Sequence, residues 1–348
     1  MKKTRVAING FGRIGRAFFA LALNKPEIEV VAVNDLADIE NMAYLLKYDS
    51  VYHHNNLQDV ISVEADADDS TLKVEGKSVK YLSEKYPSKL PWGELEIDVV
   101  VESTGFFTSY EKSKAHLDAG AKKVVISAPV KGDAPEGISG DTVLMGINEE
   151  RIKTCDITSN ASCTTNAGSP VIAILDEEIG IEKALLNTVH GYTSTQSLVD
   201  GPGAKDVRRG RAAAQNIVPS STGAAIATTK VIKSLSDKFD GVALRVPVPV
   251  GSIVDITFIA KRETDAEEVN QILSKASQDS RWKGIFSTTD EPIVSTDIIG
   301  NSHASIADLS MTRVVGGNLV KVLAWYDNEV GYTNTLVRHV IKTGEQLK

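Results

Sequence analysis

The chain begins with a short apolar run, Arg5-Val6-Ala7-Ile8-Asn9, then a cluster of glycines, then an apolar pattern from Ala17 to Leu23 that reads as a helix. A second apolar run follows, Glu29-Val30-Val31-Ala32-Val33-Asn34. Strand, helix and strand in that order predict a parallel βαβ unit. Near-continuous apolar runs recur at 97–101 and 123–127, which predicts strands covered on both faces. Between them, 111–120 reads as a helix stopped by Gly120. The rhythm differs over 59–82. There Val60, Ile61, Val63, Leu72, Val74 and Val79 stand among Asp and Gly turns, as in added antiparallel strands. Further on, alternating patterns at 242–248 and 253–260 predict half-buried strands.

The first glycines fall where such a unit needs them. Gly10-Phe11-Gly12-Arg13-Ile14-Gly15 lies between a strand and a helix, the order required of a dinucleotide-binding fingerprint. Gly10 permits the tight turn, Gly12 leaves room for a pyrophosphate and Gly15 lets the helix pack closely. The helix N-terminus then offers free N–H groups to the phosphates. Asp35 ends the second strand about 20 positions after Gly15, where an acid meets the adenosine ribose. Two readings of Asp35 stay open, a ribose acceptor and a turn residue capping the next helix. As a ribose acceptor it repels a 2′-phosphate, so NAD is expected over NADP.

Composition narrows the class. The 348 residues allow about two domains. With 42% hydrophobic and 24% charged residues the chain is globular. No apolar run reaches about 18 residues, so no membrane span is expected. Met1-Lys2-Lys3-Thr4 leads straight into the first strand without the apolar segment of a secretory signal. Two cysteines build no disulfide framework, and a cytoplasmic protein is expected. The net charge of −8 argues against nucleic acid or anionic lipid as the main partner. Anions must then be met by local basic clusters.

The chemistry-bearing residues come later. Cys163 lies in Ser159-Asn160-Ala161-Ser162-Cys163-Thr164-Thr165-Asn166, just before the apolar run Pro170–Leu175. A free cysteine is commonly a small buried residue. Polar neighbours and a following helix instead suit a thiolate at a helix N-terminus. Cys155 has no such surroundings, and its separation from Cys163 matches no strong metal motif; no metal is expected. His190 ends a strand-like run and reads either as a hydrogen-bonded structural residue or as the base that activates Cys163. A Gly/Pro-rich loop with Arg208, Arg209 and Arg211 follows, suiting a solvated surface, a subunit interface or an anion site. Thr222-Gly223 opens an Ala-rich stretch whose N–H groups suit an anion. Arg245, inside an apolar strand, needs a partner or an anion beside it.

Taken together the chain resembles the phosphorylating glyceraldehyde-3-phosphate dehydrogenases. The matches run from end to end: Ile8–Arg16, Ser159–Asn166, the Cys163–His190 spacing, Arg208–Ala213, Thr222–Ala225, Arg245-Val246-Pro247 and Trp325-Tyr326-Asp327-Asn328-Glu329. The resemblance implies that Cys163 attacks the aldehyde, His190 acts as base and inorganic phosphate cleaves a thioester. It implies Thr193 and Arg245 at the substrate phosphate, with Ser162, Thr164, Arg209, Thr222 and Gly223 forming or bordering a second anion pocket. For NAD it carries over Arg13, Ile14, Asp35, Lys85, Ser127 and Asn328. The segment around Lys85 departs from the commoner pattern.

The implied fold is α/β, a Rossmann-type domain over 1–162 and 326–348 and an α+β catalytic domain over 163–325 with a mainly antiparallel sheet. The implied assembly is a homotetramer, with the 191–212 loop at a subunit interface and near a neighbour's cofactor. The partners implied are a phosphorylated aldehyde and inorganic phosphate. Three positions depart from the family: Ala167, often cysteine; Val330, usually aromatic or polar; and Val51–Asn56, which lacks the common Thr-His-Gly form. Two rivals remain: an erythrose-4-phosphate dehydrogenase, and a non-catalytic nucleotide- or RNA-binding protein on the same fold. The complete Arg245, Arg209 and Thr222 set favours the triose enzyme, and intact Cys163 and His190 argue against lost chemistry.

Overall fold

The computed structural model describes residues 2–52, 63–66, 70–203 and 206–347. It divides into two compact units, Met1–Ala161 with Thr333–Lys348, and Ser162–Tyr332.

In the first unit the chain runs β1 (Thr4–Asn9), α1 (Arg13–Leu23), β2 (Ile28–Asn34), α2 (Ile39–Lys47), β3 (Val63–Asp66), β4 (Thr71–Val74), β5 (Lys77–Leu82), β6 (Val99–Glu102), α3 (Tyr110–Asp118), β7 (Lys123–Ile126), β8 (Gly140–Thr142) and β9 (Ile157–Ser159). Among the described residues these strands form one sheet in the order β3-β4-β5-β2-β1-β6-β7-β9-β8. From β5 to β8 every neighbouring pair is parallel, while β3, β4 and β5 pair antiparallel. The added antiparallel strands thus lie where the sequence predicts them, although Val60 and Ile61 fall outside the described residues, as does 53–56 of the divergent Val51–Asn56 segment. β2 and β6 flank β1 on opposite sides, so the strand order reverses at β1, the switch point where open α/β sheets bind ligands.

One local expectation fails. Ile97 and Asp98 precede β6 rather than belong to it. Ile97 N–H is taken by Trp92 O in a turn, and its side chain joins the core cluster of Ala7, Ala32, Leu90, Trp92 and Val100. The Asp98 carboxylate accepts from Arg5 N–H at 3.0 Å. Apolar character marked burial there, not extension.

The second unit holds α4 (Cys163–Glu178), β10 (Ile181–Gly191), β11 (Val218–Ser221), α5 (Ala224–Val231), β12 (Phe239–Val246), β13 (Ser252–Ala260), α6 (Ala266–Ser277), β14 (Phe286–Thr289), β15 (Ser305–Val315) and β16 (Leu319–Tyr326). Among the described residues its sheet runs β11-β12-β10-β13-β16-β15-β14. It is mainly antiparallel; only β10–β12 and β14–β15 are parallel. α4, α5 and α6 pack on it. β13 alternates buried and half-buried residues without a break, the period of a strand with one face on a core.

Helix α7 (Val330–Glu345) carries the chain back into the first unit. There His339 is fully buried, with Nε2 2.8 Å from Thr158 Oγ1 and Nδ1 3.1 Å from Asn160 Oδ1. Burial pulls its pKa down to about 3. No helix among the described residues is long and apolar enough to cross a membrane.

Candidate active site

The glycine loop at the end of β1 is built by what its residues lack. Gly10 sits at φ +95°, and a Cβ there would meet Thr104 N at 2.6 Å. A Cβ on Gly15 would meet Gly10 O at 2.1 Å, so Gly15 makes room for the loop's own carbonyl. A Cβ on Gly12 would meet nothing within 4 Å. The space over Gly12 is open, and no side chain caps α1 there. Backbone N–H groups and the positive end of the helix dipole thus face a volume that suits a pyrophosphate. The residues present fit a dinucleotide.

Asp35 is a turn residue but not the cap of the next helix. Its carboxylate accepts from Phe11 N–H at 2.7 Å, clasping the glycine loop, and from Ala37 N–H at 3.0 Å in a turn. Asp38, not Asp35, caps α2. A carboxylate has about four acceptor sites, so capacity remains for ribose hydroxyls. Arg13 is paired with Asp49 and lies over the Tyr52 ring at 5.6 Å. Ile14 follows it in the first turn of α1. Ser127 follows β7 and its N–H donates to Glu102 O at 2.8 Å. Lys85 is exposed, its ammonium 5.9 Å from the centre of the Tyr86 ring.

A buried polar chain beneath this loop has no counterpart in the sequence reading. Trp92 Nε1–H donates to His116 Nδ1 at 3.0 Å, which leaves the His116 proton on Nε2, 3.0 Å from Glu102 Oε2. Glu102 also accepts from Asn9 Nδ2 at 2.6 Å and from both the N–H and the hydroxyl of Thr104. Asn34 Nδ2 donates to Asn9 Oδ1 at 2.7 Å and to Glu84 O at 2.9 Å. Donors and acceptors match along its length, and it latches together the carboxyl ends of β1, β2 and β6. A single histidine ahead of Gly120 and a glutamate ending a strand were the only signals.

In the second unit, Cys163 is the first residue of α4, with Ser162 as the N-cap. The Ser162 hydroxyl accepts from Thr165 N–H at 3.1 Å. The chain enters this turn through Ala161 at φ 55°, a left-handed conformation that costs an L-residue roughly 1–2 kcal/mol. β10 brings His190 beneath the thiol, with Nε2 3.3 Å from Cys163 Sγ. β12 pairs with β10 so that Arg245 lies opposite His190.

The proton on His190 follows from its partners. Nδ1 is 2.6 Å from Gly191 O and 2.8 Å from Arg245 Nη1. A carbonyl only accepts and a guanidinium only donates, so one nitrogen cannot bond both. With the proton on Nδ1, Gly191 O accepts it, and Arg245 Nη1 donates to the same carbonyl at 3.2 Å. The Nε2 lone pair then faces the sulfur. Burial, then the charge of Arg245, pulls His190 down to about 3, against the Gly191 carbonyl. Burial pushes the Cys163 thiol up, against Arg245 and hydrogen bonds from Thr164. Both shifts favour the neutral forms of the thiol and the imidazole. Cys155 is buried, and burial pushes its thiol up as well.

Arg245 is the electrostatic anomaly of this unit. Its Nε is buried with no hydrogen-bond partner, and burial lowers its pKa. Its named contacts are His190 and a carbonyl, with no carboxylate among the described residues. A half-buried cation without an anionic partner is costly, so an anion placed beside it would be stabilised. Arg209 adds positive potential at both His190 and Arg245. Its Nε donates to Ser220 Oγ at 2.8 Å, and its backbone carbonyl accepts from Ser197 N–H, tying it to the loop of Thr193. Thr193 bonds Thr195, hydroxyl to hydroxyl, at 2.9 Å. The Thr222 hydroxyl accepts from Ala224 N–H at 3.2 Å, and Gly223 caps α5 with open space where a Cβ would lie.

The structure therefore joins Cys163, His190, Arg245 and Thr164 directly, and Arg209 through its field. Ser162, Thr193, Thr222 and Gly223 reach the thiol through no direct bond. Asn328 is buried, its Oδ1 accepting from Gly251 N–H and Ser252 Oγ at 3.1 Å each. Sequence reasoning missed Tyr326. Its hydroxyl bonds Thr164 Oγ1 at 2.9 Å and Thr188 Oγ1 at 2.8 Å, and its ring stands edge-on to His190 at 5.9 Å. The signal was present: the period of β16 puts Tyr326 on the core face, where a phenol needs a partner. No group of three or more His, Cys, Asp or Glu that could hold a metal occurs among the described residues.

Comparison with known proteins adds independent information. Residues 4–110 match the family profile described as glyceraldehyde 3-phosphate dehydrogenase, NAD binding domain, and residues 162–328 match its C-terminal domain. The chain is 46% identical over 346 residues to a glyceraldehyde-3-phosphate dehydrogenase of Streptomyces coelicolor, covering 99% of each chain. It is 48% identical over 335 residues to glyceraldehyde-3-phosphate dehydrogenase 1 of Bacillus subtilis, covering 96% of each. It is 48% identical over 350 residues to the Mycobacterium avium protein of the same name, covering 99% of each.

Proposed function

The chain belongs to the glyceraldehyde-3-phosphate dehydrogenase family, and from that premise we propose that Cys163 and His190 carry out an oxidative phosphorylation of glyceraldehyde 3-phosphate to 1,3-bisphosphoglycerate. It is an NAD-dependent oxidoreductase. The observation that carries the residue assignment is Cys163 Sγ 3.3 Å from the His190 lone pair, with Arg245 beside it.

Arg245 and Thr193 bind the substrate phosphate. Cys163 Sγ then attacks the aldehyde carbon, and the thiol proton passes by way of His190 Nε2 to the carbonyl oxygen, giving a neutral hemithioacetal. His190 Nε2 takes the hydroxyl proton as base, a role worth roughly 10²–10⁴ in rate. NAD, when bound, supplies the acceptor for the hydride that leaves this carbon. The product on Cys163 is a thioester. Inorganic phosphate, held by Ser162, Thr164, Arg209, Thr222 and Gly223, attacks the thioester carbon; the C–S bond breaks and the acyl phosphate leaves. In both tetrahedral species the oxyanion is met by the Cys163 N–H, a helix-terminal donor with no intrahelical acceptor, and by His190. Gly10, Gly12, Arg13, Ile14, Gly15, Asp35, Ser127 and Asn328 hold the cofactor. Lys85 belongs to this group on resemblance alone.

The open face of the second unit's sheet favours a homo-oligomer. β13 and β16 turn alternate residues away from the helices, and Leu185, Ile226, Phe239, Ile259 and Leu319 line a groove of about 790 Å³. Leu185 is 66% exposed there, and the occupant we assign is a second copy of this chain, within a homotetramer. The two unpaired thiols favour the cytoplasm.

The test is steady-state NADH formation from glyceraldehyde 3-phosphate and from erythrose 4-phosphate, with phosphate varied. The triose is expected to be used faster, with a rate that rises with phosphate. A triose rate indifferent to phosphate would defeat the reading.

A further inference from the structure

One hydroxyl in the second unit joins the base to the cofactor-recognising amide. Gly191 N–H donates to Ser252 Oγ at 3.2 Å. A backbone N–H can only donate, so the serine oxygen accepts there and must direct its own proton elsewhere. Asn328 Oδ1, 3.1 Å away, is the acceptor. The same Oδ1 accepts from Gly251 N–H at 3.1 Å, another obligate donor, so this atom is the oxygen and not the amide nitrogen. Both acceptor positions of the Asn328 carbonyl are then filled, and only its Nδ2 donors are left for a ligand. At the other end, Gly191 O is the carbonyl that holds His190 Nδ1–H. Ser252, Asn328 and His190 are all buried, at 2%, 5% and 2% exposure, so water does not compete for these bonds.

From this polarity we infer that Ser252 is a positioning residue. It sets the Asn328 carboxamide to donate, and it anchors that amide to Gly191, the residue whose carbonyl meets His190 Nδ1. The inference rests on the reading of Asn328 as a cofactor residue. The part of NAD that must come near Cys163 and His190 is its nicotinamide, and the neutral acceptor on that ring is the carboxamide oxygen. Asn328 Nδ2 is therefore matched to that oxygen. Without the serine hydroxyl, Gly251 N–H alone resists rotation of the amide, and the turned amide would present its carbonyl to another carbonyl.

The test is equilibrium binding, read by quenching of tryptophan fluorescence. NAD is compared with its thionicotinamide analogue, whose sulfur is a weak acceptor. The parent protein is expected to prefer NAD by about three- to tenfold, the scale of one neutral hydrogen bond. Ser252→Ala should bind NAD more weakly and lose most of that preference. Ser252→Thr, which keeps the hydroxyl, should retain it. Asn328→Ala should lose it entirely. A Ser252→Ala protein with the full preference, while Asn328→Ala has none, overturns the role of Ser252 alone. Full preference in Asn328→Ala overturns the cofactor reading of Asn328 and this inference with it.

Discussion

On the proposed reading, the two units would bind their anions in opposite ways. The first does it with absence: Gly12 leaves open space, Gly15 yields to a carbonyl, and bare N–H groups face the ligand. The second would do it with stored charge: Arg245 is half-buried without a carboxylate among the described residues, and its buried Nε has no partner. A site made of missing side chains costs little when empty and tolerates its surroundings. A site made of an uncompensated cation acts on its neighbours: after burial, the charge of Arg245 lowers the pKa of His190. On that reading, mutations at the glycine loop act on cofactor affinity, and those around Cys163 act on chemistry.

The sharpest way to break this contrast is at the sulfur. Cys163→Ser should cut turnover by roughly 10⁴-fold or more, as for loss of other enzymes' nucleophiles, while NAD affinity measured by fluorescence stays near normal. A variant with near-normal turnover would remove the thiol from the mechanism. Next in size is Arg245→Ala. Loss of a buried charged partner costs roughly 2–5 kcal/mol, so kcat/KM for the phosphorylated aldehyde should fall about 10²-fold or more. The unphosphorylated aldehyde should suffer far less, and equal losses would make Arg245 a structural cation.

The first unit answers through affinity. In Gly15→Ala the new Cβ meets Gly10 O at 2.1 Å and must push the loop. Overpacking of that kind costs about 1–3 kcal/mol, so NAD should bind about 10- to 100-fold more weakly. Alkylation of Cys163 by iodoacetamide without cofactor should keep its rate; a slowed rate would show that the loop change spreads to the thiol.

The smallest effect concerns acid. His339 is neutral in the fold down to about pH 3, but in the unfolded chain it takes a proton below its ordinary 6.5. The unfolded state therefore binds more protons across that window, and stability falls as pH drops. At pH 5 the cost is about 2 kcal/mol from this group, since each pKa unit is worth about 1.4 kcal/mol. His339→Gln should flatten the fall in Tm between pH 7 and 5 by a few degrees. An unchanged slope would mean that His339 gains a proton without unfolding.

The same contrast explains what could be read from the residues. The glycine loop, β1, α1 and Asp35 were legible because they form one contiguous stretch whose spacing is its geometry. Cys163 announced itself through polar neighbours on a helix start. The role of Tyr326 and the chain from His190 through Ser252 to Asn328 were not legible, because strand pairing brings together residues far apart along the chain. The Trp92–His116–Glu102 chain was hidden because its members lie on a turn, a helix and a strand end that are separate along the chain. Ile97 misled because burial in a turn and burial in a strand leave the same apolar mark. The residues leave two readings of Asp35 open; the structure gives its carboxylate a clasp on the glycine loop and a turn, and gives the cap of α2 to Asp38.

The most direct test uses mass spectrometry of the intact protein mixed with glyceraldehyde 3-phosphate and NAD in phosphate-free buffer. The account predicts one acyl group on the peptide bearing Cys163, none on Cys155, and its disappearance within a few turnovers once inorganic phosphate is added. An unmodified Cys163 during active NADH formation, or an adduct that phosphate leaves in place, would contradict it.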